Sequence, residues 1–313
     1  MNIARGNYKG MNCYFLENQQ IRLVVIPELG AKIASLIYKP QEFEVFFQPS
    51  QGCYNLAHYG VDFANYDTSG ADEMFPNIDS CLYPYQGYGG QALPDHGELW
   101  SIPWRVAEVG AGLTTEAEGT ALPYIFTRTI SLKENTVHLE YQVINLGDKL
   151  LYGLWAFHGL VTCDQSTRLI LPETQGVITV HNSKLLGPIG TKHSFPITID
   201  QAGNLYRLDQ ISPRSAEKTE KIYLEGTIEK GEAALILNNG QLEYKLIFPK
   251  DRVPYMGIWI NEGGFKGEYN CALEPSTGYY DSLEIAHKLG SIQPINPGET
   301  RQWYLDIQLK PCR

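Results

Sequence analysis

From residue 21 the chain reads IRLVVIPELGAKIASLIY, two β-branched, partly alternating runs separated by Pro-Glu-Leu-Gly. Alternation with a period of two, broken by Pro, Gly, Asn or Asp, marks half-buried antiparallel strands joined by turns. The same signature recurs in TRTISLKENTVHLEYQVINLG, where two alternating runs flank Lys133-Glu134-Asn135 and predict a hairpin. It continues in KIYLEGTIEKGEAALILNN, in QLEYKLIFP and in RQWYLDIQLK near the end of the chain. Helical periodicity is confined to SLEIAHKLG, with Ser282 as cap and Gly290 as stop. Many short strands with few short helices predict an all-β chain, a large antiparallel β-sandwich.

One interval resists this pattern. Residues 48–103 are rich in Gly, Pro, Tyr and Asn and read as loops. Loops of that length in a compact domain are usually functional or disordered, and the aromatic content argues for order. The expectation is an ordered wall over one face of the sandwich. Tyr and Trp faces mixed with Asn, Asp and Glu suit a sugar, which offers apolar C–H faces and a rim of hydroxyls. With no linker, low-complexity tract or repeat, residues 1–313 read as one domain.

Composition narrows the partners. Of 313 residues, 43% are hydrophobic and 19% charged, a globular balance. Lys and Arg number 25 against 35 Asp and Glu, a formal net charge of −10. An acidic surface without a basic run repels phosphate backbones, so nucleic acid is not an expected partner. No stretch approaches the roughly 20 apolar residues of a membrane span, and the first residues carry no signal-peptide core. The expectation is a cytoplasmic protein without a membrane partner. Six scattered cysteines form no CxxC pair and read as free thiols.

The candidate chemistry is carried by carboxylates and histidines. NCALEPSTGYY places Glu274 where an apolar strand meets a Pro-Ser-Thr-Gly turn. A Glu there either points into water or, if buried, does chemistry. His158 is the single ionisable group in LLYGLWAFHGLV and needs a hydrogen-bond partner if buried. His96, in LPDHGELW, ends the loop-rich interval and can reach a cleft or pair with Asp95. His138 and His287 read as surface residues, His181 and His193 as loop residues, and His58 is ambiguous. A carboxylate beside His158 would raise its pKa and keep it protonated. Asp72, Glu73 and Asp79 in SGADEMFPNID match no known metal-loop spacing, and no metal or cofactor is expected.

Several segments together resemble the galactose mutarotase (aldose 1-epimerase) superfamily. They are LPDHGELWSIPW, LWAFHGLVTCD followed by LILP, GIWINEGGFKGEYNCALEPSTGYYDSLEIA, and the closing INPGETRQWYLDIQL. The likeness spans roughly residues 15–310 and rests on the order and spacing of the motifs. It implies a supersandwich with a sugar cleft on one face. It also implies Glu274 as catalytic base, His158 as acid and His96 as a substrate-binding residue, with Asn77, Trp259 and Asn261 lining the cleft. The arginine that the family often carries before the first His motif is missing from SGADEMFPNIDS, which argues against a sugar phosphate. An aspartate like the one used by galactose-specific members has no evident counterpart. The implied activity interconverts α and β anomers of a free sugar by Glu/His acid–base catalysis. The alternatives are a non-catalytic carbohydrate-binding protein and a polysaccharide-acting enzyme on the same sandwich.

Overall fold

The computed structural model describes residues 1–85, 87–172 and 176–312. Among them the predicted alternation resolves into two large antiparallel sheets. The larger runs, in spatial order, through Asn2–Tyr8, Met11–Glu17, Ile21–Ile26, Lys32–Tyr38, Ala71–Met74, Ala156–Gly159, Tyr269–Ser276, Tyr255–Glu262, Lys218–Leu224, Val177–Thr179 and Lys192–His193. The second runs through Arg168–Ile170, Glu232–Leu237, Leu242–Ile247, Thr300–Pro311, Thr136–Asn145, Tyr124–Lys133, Leu113–Glu118 and Arg105–Val109.

The predicted hairpins form where the turn chemistry put them. In Pro-Glu-Leu-Gly, Gly30 takes a φ of +60° and packs on the Trp100 backbone, where a Cβ would lie 2.6 Å from Trp100 Cα. Only glycine combines that φ with that approach. Tyr124–Lys133 pairs with Thr136–Asn145 through a turn in which Glu134 has a φ of +51°. The short helix is Leu283–Lys288, with the Ser282 hydroxyl accepting from the Ile285 N–H and Gly290 past its end.

The inner faces of the two sheets interdigitate. Tyr141 and Trp303 stack at 5.5 Å, and Trp155 from the larger sheet meets both, at 4.8 and 5.2 Å. Between the sheets lies a buried charge. Glu73 accepts hydrogen bonds from Arg128 at 2.8 Å, Tyr141 at 2.9 Å and Trp155 at 2.7 Å. A carboxylate can be fully buried when cations and donors saturate it in this way.

The interval 48–103 departs from the all-loop expectation. Ala71–Met74 is a central strand of the larger sheet. Its charged residues hid it, because both are buried against partners: Glu73 as above, and Asp72 on Lys32 at 2.5 Å. Neither is placed as a metal ligand. Asp79 lies elsewhere, on the cavity described next.

Candidate functional site

Sheet register brings the predicted residues together. Along the larger sheet Asp72 pairs with His158. Ala156↔Ser276 and Val161↔Cys271 share one register, which sets His158 across from Glu274 on the neighbouring strand. Glu274 pairs with Gly257, and Gly257 with Tyr223. One transverse row, Asp72, His158, Glu274, Gly257, Tyr223, thus crosses five strands on the face turned away from the other sheet. Directly opposed residues in such a row have Cβ atoms about 4.5–5.5 Å apart.

The row explains a contact that alternation alone does not suggest. Lys221 lies one row along, opposite Trp259, yet its ammonium bonds Glu274 Oε2. It crosses the intervening strand where Gly257 has no side chain. A Cβ on Gly257 would meet the Tyr223 ring at 3.1 Å. The lysine also lies 3.7 Å from Asp281, whose other oxygen accepts the Tyr223 hydroxyl at 2.6 Å. Glu274 is fully buried, and its Oε1 has no hydrogen-bond partner among the described residues. The strand runs on to Ser276, so Glu274 lies inside it and not on its last residue.

A cavity of about 320 Å³ opens at His158, the member of this row that lines it. That is at the small end of the roughly 300–1,000 Å³ usual for small-molecule sites. His158, Lys221, Trp259 and Asn270 form its sheet side, and Phe63, Ile78, Asp79, Asp95 and His96 its loop wall. His181, Phe265, Glu268 and Asp281 close the rest. Phe63 stacks on His96 at 4.2 Å and meets His158 edge-on at 5.3 Å. His96 has a φ of +58°, and its Nδ1 lies 2.9 Å from Asp95. Trp259 is fixed by Asn270, which accepts its indole N–H at 3.0 Å.

Two predicted lining residues lie behind the wall. Asn77 is fully buried, and its amide donates to the carbonyls of Asp79 and Pro94 at 2.8 and 2.7 Å. It ties together the segments that carry Asp79 and His96. Asn261 accepts from Phe265 N and donates to Phe265 O, both at 3.0 Å. It braces the turn that presents Phe265 and Glu268.

The electrostatics differ from expectation at His158. Burial first, then the nearby His96 and Lys221, hold its imidazole well below the usual histidine range. Glu274 does not reverse this, because Lys221 already takes its charge. Burial pushes the Glu274 carboxyl above its ordinary value while Lys221 pulls against the shift. Against burial, Asp281 and Glu274 push the Lys221 ammonium up. Asp281 stays ionised at about 2, since Lys221 and His181 outweigh its burial. Burial and Asp281 push Asp79 up.

Sequence reasoning missed Lys221 and Asp281, and the placement of Asp79 and His181 on the cavity. Lys221 stands in an ordinary alternating strand, and alternation does not say which face the loops will cover. Asp79, His181 and Asp281 offer ligand atoms within 4.8 Å of one another, but Lys221 already supplies a cation beside Asp281.

No family model matches the sequence, and no curated protein matches it. Solved structures do. An Escherichia coli protein provisionally named an aldose 1-epimerase is 15% identical, with 97% of this chain and 100% of that chain covered and a TM-score of 0.71. A galactose mutarotase related enzyme from Lactobacillus acidophilus is 14% identical over 95% and 97%, with a TM-score of 0.68. A galactose mutarotase-like protein from Lactobacillus casei is 16% identical over 95% and 100%, with a TM-score of 0.65. With these near-complete overlaps and the two-sheet architecture, the chain has the galactose mutarotase-like fold.

Proposed function

We propose that the protein is an aldose 1-epimerase-like isomerase acting on a free, uncharged sugar. The observation that carries the reading is the unpartnered, buried Oε1 of Glu274, whose row neighbour His158 and ion-pair partner Lys221 both line a cavity walled by Phe63, Trp259 and Phe265. A buried carboxylate oxygen without a donor is costly unless a ligand hydroxyl fills its place. Among the described lining residues there is no arginine, while Asp62, Asp79, Asp95, Glu268 and Asp281 face the same space. That composition disfavours phosphates and uronates.

In the reaction Glu274 takes the proton of the anomeric hydroxyl. The C1=O bond forms as the bond from C1 to the ring oxygen breaks, and the ring oxygen takes up a proton. Rotation about C1–C2 and the reverse steps give the other anomer. The resemblance points to His158 as the proton donor and His96 as a hydrogen-bonding partner of the sugar. Each positioned acid or base contributes about 10²–10⁴-fold. Anomer exchange by NMR over a panel of free aldoses, with wild type and Glu274→Gln in parallel, tests the reading. Acceleration by wild type alone supports it, and turnover by Glu274→Gln at the wild-type rate overturns it.

One observation favours a second reading, carbohydrate binding without catalysis. His158 is held in its neutral form, which hydrogen-bonds a sugar well but has no proton to spare. Saturable sugar binding with no exchange would support it.

A further inference from the structure

Independently of the epimerase reading, we propose that a second cavity, at the end of the strands that carry His158 and Glu274, binds a small aromatic carboxylate.

This cavity has a volume of about 310 Å³ and shares no lining residue with the first. Trp155, Tyr255 and Thr277 stand on its larger-sheet side, Val143 and Trp303 on the other. Trp303 is 8% exposed, and its indole N–H has no acceptor among the described residues. The other four tryptophans are all satisfied. Trp100 donates to the Asp95 carbonyl, Trp104 to the Leu99 carbonyl, Trp155 to Glu73 and Trp259 to Asn270, at 2.7–3.0 Å. A buried indole N–H normally finds a partner, and one left over on a cavity wall asks the occupant for an acceptor.

Charge says which acceptor. The first cavity sets five carboxylates against Lys221, whereas the charged lining of the second is Arg252, Arg301 and Asp251. In a chain of net charge −10 that is a local reversal of sign. Arg301 is already committed, to Glu299 at 3.1 Å and to the carbonyls of Gln293 and Pro294, and it fixes the wall they form. Arg252 is free. Its side chain is 62% exposed, its Nε lies 3.6 Å from the exposed Asp251, and its terminal nitrogens bond nothing among the described residues. Arg252 and Trp303 also border an adjoining cleft together, which places them on one rim. A carboxylate can accept from the Trp303 N–H and from the Arg252 fork at once. The rings of Phe75, Trp155 and Tyr255 suit a flat apolar body behind it.

The test titrates benzoate, benzyl alcohol and inorganic phosphate into the full chain and follows the five tryptophan indole N–H signals by NMR. Trp303→Phe, which keeps a ring and deletes the donor, identifies the Trp303 signal. Benzoate should move that signal saturably and leave Trp259, in the other cavity, in place. Arg252→Gln, an exposed change, should weaken benzoate by about 10–100-fold, the loss expected for a charge-assisted hydrogen bond. Benzyl alcohol lacks the charge and phosphate the apolar body, so both should bind more weakly than benzoate. Should Trp303→Phe fail to fold, a benzoate-soaked crystal shows directly whether the carboxylate meets the indole. The proposal is overturned if benzoate leaves the Trp303 signal unmoved or shifts Trp259 instead. It is also overturned if Arg252→Gln binds benzoate as wild type does, or if benzyl alcohol or phosphate matches it.

Discussion

Glu73 and Glu274 are both fully buried glutamates on strands of one sheet, yet they do different things. Glu73 points between the sheets and receives three donors, one of them a guanidinium. Glu274 points the other way and receives one ammonium on one oxygen, leaving the other open. Burial alone does not separate structure from chemistry, because both residues are equally inaccessible. The distinction is in the unfilled acceptor. A saturated carboxylate fixes the fold, and an unsaturated one beside a cavity waits for a ligand.

The contrast can be tested from both sides. The largest effect on activity is expected for Glu274→Gln, a loss of about 10²–10⁴-fold in anomer exchange, with a smaller loss of stability than at Glu73 because Asp281 still faces Lys221 at 3.7 Å. Glu73→Gln should do the reverse. It leaves the buried Arg128 without its counter-charge and should cost about 3–5 kcal/mol in denaturant unfolding, while any folded fraction keeps its turnover. Equal stability losses for the two variants would erase the comparison.

Lys221→Met sharpens it. Burial already raises Glu274, and losing the ammonium should raise it further. The base must be ionised, so activity is lost as pH falls through this pKa. The acid limb of the pH profile should therefore move up by about 1–3 units. An unmoved limb would mean that Lys221 serves packing alone. The smallest effect is expected for Asn261→Ala. Losing its bonds to Phe265 should loosen the cavity wall and raise KM by about fivefold, the equivalent of about 1 kcal/mol, with kcat little changed.

Much of this was legible in the sequence. The hairpins around Pro27–Gly30 and Lys133–Asn135 and the helix between Ser282 and Gly290 follow from turn and cap chemistry, which is local. Glu274 and His158 stood out as single charged groups in apolar runs. What was hidden depends on pairing across strands. Ala71–Met74 looked like loop because its charges are neutralised by Lys32 and Arg128, which lie about 40 and 55 residues away in sequence. Lys221 looked like a solvent lysine because its partner Glu274 is 53 positions away. Asn77 and Asn261 were placed near the cavity, but their side chains turn to backbone partners and hold the walls from outside.

The transverse row also bears on how the protein comes to be active. Its members, Asp72, His158, Glu274, Gly257 and Tyr223, come from five strands joined at four antiparallel junctions, three of them between distant parts of the chain. Only the Gly257 and Glu274 strands are neighbours in sequence. Contacts of that kind form late, after the entropy of closing long loops has been met. Collapse of the apolar faces can bury the tryptophans before this ladder is complete. On refolding, recovery of the proposed anomer exchange should therefore trail recovery of tryptophan fluorescence, because the row is complete only once the last strand is in register.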